Sequence, residues 1–163
     1  MVDVCQGLGT IKIERATLED AAAILALQKH AYQSEAEIYN DFSIQPLLQT
    51  LEELVAEFQS HDIFKVAPEK DNLVGSVRSR IMGATCCIGK LIVHPAHQNR
   101  GIGQALMAYV ERHNCTAERF ELFTGSRSAR NLYLYEKIGY REYKREKVNE
   151  RLTIIFLEKR QTH

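Results

Sequence analysis

The sequence lacks any long apolar segment. Its longest uninterrupted apolar run covers residues 21–27, whereas about 20 such residues are needed for a helix to cross a bilayer. No basic stretch followed by an apolar one opens the chain, so no secretory leader is expected. These absences disfavour a membrane-spanning or secreted protein, and a cytoplasmic location is expected.

The chain also lacks an excess of charge of either sign. Lys plus Arg number 21 and Asp plus Glu number 21 among 163 residues. This balance does not favour charge-driven binding to nucleic acid or to an anionic membrane. With 45% hydrophobic and 26% charged residues, the composition suits one globular domain with one core. Residues 1–163 are therefore interpreted as a single domain.

Cysteine is sparse, and its spacing does not match the common cysteine motifs. The four cysteines are Cys5, Cys86, Cys87 and Cys115. None of their spacings is the CxxC of zinc or redox sites, so we interpret them as free structural thiols in a reducing compartment. A zinc site of Cys86 or Cys87 with His94 and His97 is an alternative. Because its spacing matches no common motif, no metal is expected.

Hydrophobic periodicity predicts a chain of mixed strands and helices. Alternating patterns predict strands near residues 11–15, 63–66, 73–81, 85–93 and 120–123, and a closing hairpin of residues 140–147 and 151–158. Helical patterns predict four helices, over about residues 18–32, 51–58, 101–113 and 128–138. Residues 35–46 have no clear period and are interpreted as a loop or a broken helix.

The most informative segment covers residues 91–107, LIVHPAHQNRGIGQALM. A β-branched strand ends at Val93, and a turn with Gly101 and Gly103 leads into an amphipathic helix. Glycine lets the backbone curl tightly and approach a ligand, and a helix N-terminus presents N–H groups and a positive dipole. The first helical turn has no acidic residue, and Arg100 precedes it. The segment predicts a phosphate-binding site, and an ordinary glycine turn before a helix is the alternative.

Two other phosphate-binding motifs do not fit this segment. A dinucleotide fingerprint, GxGxxG, requires a third glycine where Leu106 stands. A P-loop requires Gly-Lys followed by Ser or Thr. The pair Gly89-Lys90 is instead followed by Leu91 and falls within a predicted strand.

Residues 98–103, QNRGIG, resemble the Gln/Arg-x-x-Gly-x-Gly/Ala loop that holds the acyl-CoA pyrophosphate in the GNAT superfamily of N-acyltransferases. Residues 128–140, SARNLYLYEKIGY, resemble its second signature, Asn-x-x-Ala-x-x-x-Tyr-x-Lys-x-Gly-Phe/Tyr. Tyr135 matches the tyrosine of that signature. Ser128 stands at the leading asparagine, and Asn131 stands at the alanine. The order of predicted elements resembles the same fold from end to end.

The resemblance implies an α/β fold of the α+β kind. Its central mixed sheet would be splayed between the fourth and fifth predicted strands and flanked by about four helices. It also implies direct transfer of an acetyl group from acetyl-CoA to an amine in a ternary complex. Main-chain groups of Leu91, Ile92 and Val93 would pair with the pantetheine arm, and an amide there would polarise the thioester carbonyl. The other implied cofactor contacts are Gln98, Asn99, Arg100, Gly101, Ile102, Gly103, Gln104, Ser128 and Asn131.

The resemblance further implies that Tyr135 is the general acid for the leaving CoA thiolate. A general base is harder to assign, because the glutamate that some members carry six residues before Val93 is Cys87 here. Glu35 and Glu37 are candidates, since the segment between the first two helices usually lines the acceptor side. A water chain is the alternative base. The alternative interpretation of Glu35 and Glu37 is that both are solvated loop acids.

The acceptor is not identified beyond an amine, and self-association into a homodimer is left open. Arg78 and Arg80 are two residues apart on a predicted strand and share a face. We interpret both as solvated edge charges, with contact to an anionic acceptor group as the alternative. Two other functions are alternatives. Cys87 in place of glutamate favours a catalytically weak acyl-CoA-binding regulatory module, whereas the missing third glycine disfavours a nucleotide-binding oxidoreductase.

Overall fold

The computed structural model describes residues 3–5, 10–69 and 72–162, with side chains from residue 11 onward. Residues 1–2 and 6–9, which belong to the stretch on which the expectation of no leader rests, and the Cys5 side chain lie outside this part. The strands are β1 (Asp3–Cys5), β2 (Thr10–Arg15), β3 (Asp62–Val66), β4 (Gly75–Met82), β5 (Thr85–Val93), β6 (Arg119–Gly125), β7 (Arg141–Lys147) and β8 (Thr153–Arg160). The helices are α1 (Ala21–Tyr39), α2 (Gln45–Leu48), α3 (Leu51–Glu57), α4 (Ile102–His113) and α5 (Ala129–Lys137).

The strands form one mixed sheet in the order β1-β2-β3-β4-β5-β6-β8-β7. Among the described strands, only β5 and β6 pair in parallel, and their registered pairs run from Thr85–Arg119 to Cys87–Glu121. Both strands continue past the last pair, β5 to Val93 and β6 to Gly125. The predicted splay between the fourth and fifth strands is therefore confirmed. Strand β1, which the sequence did not predict, shifts the strand numbers by one.

Local sequence signals account for several element boundaries. Thr50 caps α3 by accepting a hydrogen bond from the Glu53 N–H at 3.2 Å, and the Glu53 carboxylate accepts from the Thr50 N–H at 3.1 Å. This arrangement is the predicted capping box. Gly139 follows α5 with φ +104°, a backbone conformation that favours glycine. The predicted closing hairpin is confirmed as β7 paired with β8.

One predicted boundary is wrong. Helix α1 does not end near residue 32 but continues through Glu35 to Tyr39, and Asn40 terminates it with φ +48°. The added turns place Ala36 and Tyr39 in buried positions. Their burial depends on contacts with distant parts of the chain, so local periodicity does not show it.

Helices pack on both faces of the sheet. One face packs on α4 and α5 through a large apolar cluster that includes Leu106, Val110, Phe120 and Leu157. A smaller cluster joins Ile24 of α1, Leu54 of α3 and Ile63 of β3. Across the residues that the structure describes, no helix is both long and apolar enough to span a bilayer.

Candidate active site

A cleft of about 1150 Å³ opens at the splayed end of the sheet. Its walls come from the C-terminal half of α1, the end of β5, the loop before α4 and the start of α5. Glu35 lines the cleft, whereas Tyr135 and Glu37 are not among the described lining residues. All the cofactor contacts implied by the sequence do line it: Leu91, Ile92, Val93, Gln98, Asn99, Arg100, Gly101, Ile102, Gly103, Gln104, Ser128 and Asn131.

The loop before α4 has the backbone of an anion-binding helix N-terminus. Gly101 precedes the helix with φ +82°, and Asn99 has φ +63°. Both values lie in the left-handed region, which glycine adopts without strain. The first turn of α4 carries no acidic side chain. The unpaired N–H groups of that turn and the positive end of the helix dipole therefore meet no carboxylate from their own helix.

Hydrogen bonds fix the start of this loop. The Gln98 side-chain amide donates to the Val93 carbonyl at 3.3 Å, and the His94 ring accepts through Nδ1 from the Ala96 N–H at 3.1 Å. Burial lowers the pKa of His94, and the neighbouring imidazoles of His30 and His97 lower it further. A lowered pKa favours the neutral ring, which can accept this hydrogen bond.

Positive charge dominates the walls of the cleft. Among the described residues that line it, Glu35 is the single acid. The lining residues with full positive charge are Arg100, Arg127, Arg130 and Lys137. A cleft with this excess of cations attracts a polyanionic ligand.

Strand β5 contains a β-bulge just before its cleft-lining end. Ser76 pairs with Ile92 and Arg78 pairs with Gly89, so β5 holds one more residue than β4 between these two pairs. Lys90 has φ +49° at this point. A bulge leaves main-chain groups out of the ladder and turns the strand that follows it. The bulge was not predicted from the sequence, although an isolated glycine within a strand, here Gly89, is a bulge signal.

Tyr135 lies behind the cleft wall, in the apolar core. Its side chain is 6% exposed and its ring centroid is 6.1 Å from that of Tyr140. Burial raises the pKa of Tyr135, and the nearby Tyr32 and Glu35 raise it further. Desolvation and Glu35 likewise raise the pKa of Tyr32 to about 12, although Arg78 opposes the shift. The structure thus brings Tyr135, Tyr32 and Glu35 into one electrostatic neighbourhood, with both phenols protonated near neutral pH.

The carboxylate of Glu35 is tied to the other side of the cleft. Ser128 donates its hydroxyl to Glu35 Oε2 at 2.5 Å, and the Tyr39 hydroxyl lies 2.8 Å from Ser128 Oγ. Ser128 is 2% exposed. Asn131, at the position of the family's alanine, donates to the Thr124 hydroxyl at 3.2 Å. Glu37 is exposed, so the structure places the two candidate bases in different surroundings.

Arg78 is not the solvated edge charge that the sequence suggested. It is 2% exposed and donates to Glu57 Oε2 at 2.7 Å, to Gln49 Oε1 at 3.3 Å and to Gln28 Oε1. These partners come from α1, α3 and the segment between α2 and α3. They lie far along the chain, so the alternation of β4 gave no sign of them. Arg80 is exposed, as expected.

The thiols near the splay point are poor nucleophiles. Burial raises the pKa of Cys86 to about 12 and also raises the pKa of Cys87, and Glu121 adds to the effect on Cys87. Cys87 Sγ lies 3.3 Å from Glu121 Oε1 on the neighbouring strand. Among the described side chains, no group of three or more His, Cys, Asp or Glu is arranged to hold a metal ion.

The splayed sheet and the cleft at its open end agree with comparisons with known proteins. The family model described as "Acetyltransferase (GNAT) domain" matches residues 60–142, just over half of the chain. The chain therefore belongs to the GNAT family of acetyltransferases. This assignment leaves the oxidoreductase and regulatory-module alternatives without support.

Several solved structures share the fold at low sequence identity. The PaiA N-acetyltransferase of Thermoplasma acidophilum, solved with coenzyme A, is 14% identical with a TM-score of 0.75, over 93% of this chain and 99% of that chain. The yncA protein of Salmonella typhimurium, solved with its cofactor acetyl-CoA, is 20% identical with a TM-score of 0.73, over 94% of this chain and 95% of that chain.

A curated relative is similar in sequence over part of its length. The UPF0157 protein YqkA of Bacillus subtilis (strain 168) is 32% identical over 124 residues, which is 75% of this chain and 35% of that protein. The chain thus spans about a third of the length of this relative.

Proposed function

We propose that the protein transfers an acetyl group from acetyl-CoA to an amine by direct attack in a ternary complex. The observation that carries this proposal is the loop before α4. Its glycine at φ +82° opens a helix whose first turn has no acid, inside a cleft whose charged lining residues are mostly cationic. These features suit the pyrophosphate of a CoA thioester.

The pantetheine arm would lie along the exposed end of β5, because β6 leaves that edge unpaired beyond Cys87. An extended amide chain can add to a free strand edge through main-chain hydrogen bonds. The bulge at Lys90 interrupts the ladder between β4 and β5 within this unpaired stretch. We assign an amide of this stretch to the thioester carbonyl, since an N–H group aimed at a developing oxyanion stabilises it.

We assign the proton donor to Tyr135. The amine nitrogen attacks the thioester carbonyl, a C–N bond forms, and the C–S bond breaks. The departing thiolate then takes the phenolic proton of Tyr135, and the tyrosine is reprotonated from solvent. The family model covers Tyr135 within residues 60–142, which supports this role. The raised pKa of Tyr135 keeps the phenol protonated but makes it a weaker acid.

We assign the proton acceptor to Glu35, the single acid among the described lining residues. It would take the proton that the attacking nitrogen loses. Glu121 is the nearest competitor, since it lies beside Cys87. Burial alone would raise the pKa of Glu121, but hydrogen bonds from Cys87, Tyr143 and Arg119 lower it. Its ion pair with Arg119, at 2.8 Å, further reduces its strength as a base.

A panel of amines tests the proposal. The protein is incubated with acetyl-CoA and each amine, and the acetylated amine is detected by mass spectrometry. A thiol reagent is unsuitable because Cys115 is exposed. For an accepted amine, initial rates are measured while both substrates are varied. Intersecting double-reciprocal lines are expected for a ternary complex, whereas parallel lines would indicate an acetylated enzyme and contradict direct transfer.

Two matched carboxylate variants test the base. Glu35→Gln is expected to lower kcat by about 10²-fold or more, the usual contribution of a positioned base. Glu121→Gln, the same change on a carboxylate outside the described cleft lining, is expected to retain kcat within a few fold. A larger loss of kcat in Glu121→Gln than in Glu35→Gln would instead assign the general base to Glu121.

A further inference from the structure

The contacts of Glu35, Ser128 and Tyr39 have only one consistent hydrogen-bond direction. A hydroxyl has one proton to donate, and Ser128 donates its proton to Glu35 Oε2 at 2.5 Å. The Tyr39 hydroxyl, 2.8 Å from Ser128 Oγ, must therefore donate to Ser128. Tyr39 in turn accepts from the main-chain N–H of Arg127 at 3.0 Å. The chain of donors starts at a backbone amide and ends on a carboxylate.

This chain of donors is enclosed by its neighbours. Tyr39 and Ser128 are both buried. A Cβ built on Gly125 would overlap the Tyr39 hydroxyl, so the tyrosine requires a glycine at the end of β6. The Arg127 guanidinium lies 5.1 Å from the centre of the Tyr39 ring, a distance at which a cation is attracted to the ring face. The side chains of Tyr39 and Ser128 therefore have little freedom to leave these hydrogen bonds.

The same contacts join the two sides of the splay. Helix α1 contacts β5, whereas Ser128 lies after β6, on the far side of the opening. Past α1, the Arg151 guanidinium donates to the Asn40 carbonyl at 2.8 Å. The C-terminal half of α1 is thus fastened to the β6–α5 loop and to the β7–β8 connection.

We propose that Ser128 and Tyr39 are positioning residues that hold the Glu35 carboxylate toward the acceptor amine; this rests on the proposed function, in which Glu35 is the base. Among the residues that the structure describes, the hydrogen bond to Glu35 uses Oε2, and none uses Oε1. Oε1 is therefore the oxygen that takes the proton from the amine. Ser128 serves the base from the position where the family signature has asparagine.

Fixing the carboxylate matters because an unrestrained glutamate side chain samples many rotamers. A misplacement of about 1 Å at a reacting group can cost on the order of 100-fold in rate. A donor chain that ends on the carboxylate holds one orientation, and each bond in the chain polarises the next one. The expected loss on breaking the chain is in turnover with the acceptor and not in binding of acetyl-CoA.

A double-mutant cycle tests the proposal with any amine that the panel identifies. Ser128→Ala is expected to lower kcat/KM for the amine by about 10- to 100-fold and to leave the Kd for acetyl-CoA within about twofold. In the Glu35→Gln background, Ser128→Ala is expected to change kcat/KM by less than about twofold, because the group that it positions is already absent. Tyr39→Phe, which keeps the ring, should follow the same pattern with a smaller loss.

The outcomes separate the proposal from the function on which it rests. Equal losses from Ser128→Ala in the parent and in the Glu35→Gln background would show a merely structural role and overturn the positioning proposal alone. A weakened Kd for acetyl-CoA that matches the loss in turnover would make Ser128 a cofactor contact and overturn it as well. A Glu35→Gln variant as active as the parent would overturn the base assignment and this proposal together. Ser126→Ala, the same change two residues earlier, is the control for the loop.

Discussion

Cys87 and Glu121 form the last registered pair between β5 and β6, and Cys87 Sγ lies 3.3 Å from Glu121 Oε1. Beyond this pair the strands continue without pairing to each other, and the cleft lies at their open end. The pair therefore marks the point where the sheet stops being a continuous layer. Arg119 and Tyr143 also bind the Glu121 carboxylate, at 2.8 and 3.0 Å. This cluster secures the closed end of the splay.

Tyr135→Phe is expected to lower kcat by about 10²-fold, the low end for a positioned acid, because water partly replaces the lost proton donor. The ring remains, so packing and acetyl-CoA affinity should change little. Tyr140→Phe is the matched control, since it removes a hydroxyl from the same aromatic pair. That hydroxyl donates to Glu111 Oε2 at 3.2 Å. Comparable kcat losses in both variants would remove Tyr135 from the chemistry.

Arg78→Met is expected to destabilise the fold by roughly 3 kcal/mol, because it leaves the Glu57 carboxylate and two glutamine side chains without their shared partner. Arg80→Met is the control on the same strand. Its side chain is exposed, so the change in unfolding free energy should stay within about 0.5 kcal/mol. Urea denaturation measures both. Similar midpoints for the two variants would show that the buried contacts of Arg78 contribute no stability.

The stability of the protein should fall as the pH decreases from 7 to 5, in part because of His94. Its pKa in the folded state lies below the ordinary value of about 6.5, so the unfolded chain binds protons more readily in this range. The contribution of His94 to the stability of the fold is present at pH values above the ordinary pKa. It is lost as the pH falls through the pKa that His94 has in the folded state. His94→Asn, whose side-chain oxygen can still accept from Ala96, should flatten the curve of Tm against pH. An unchanged slope would contradict the assignment.

Most of the features that could be predicted from the sequence depend on local motifs. The glycine loop, the end of α5 at Gly139 and the capping box at Thr50 depend on residues a few positions apart, so they are visible in the sequence. The splay followed from resemblance and not from periodicity. The relationships that the sequence did not show are long-range. Ser128 and Glu35 are 93 positions apart, and nothing in either local pattern indicates the other.

The errors have the same physical origin. Helix α1 extends to Tyr39, whose hydroxyl end lies against Gly125 on β6. That contact joins residues too far apart in sequence for any local pattern to show it. The burial of Arg78 is not visible in the sequence, because alternation along β4 shows which residues share a face but not what covers that face. The bulge at Lys90 is different, because Gly89 is a local signal for it in the sequence.

The most direct test of the account is calorimetric titration of acetyl-CoA into the parent protein, Gly101→Val and Gly83→Val. Both glycines have positive φ, +82° and +63°, so both variants strain the backbone, but Gly83 lies in the β4–β5 turn, outside the described cleft lining. The account predicts that the parent and Gly83→Val bind acetyl-CoA with similar Kd and that Gly101→Val loses at least about tenfold in affinity, or roughly 1.4 kcal/mol. Equal Kd values for Gly101→Val and the parent would contradict the placement of the pyrophosphate on this loop.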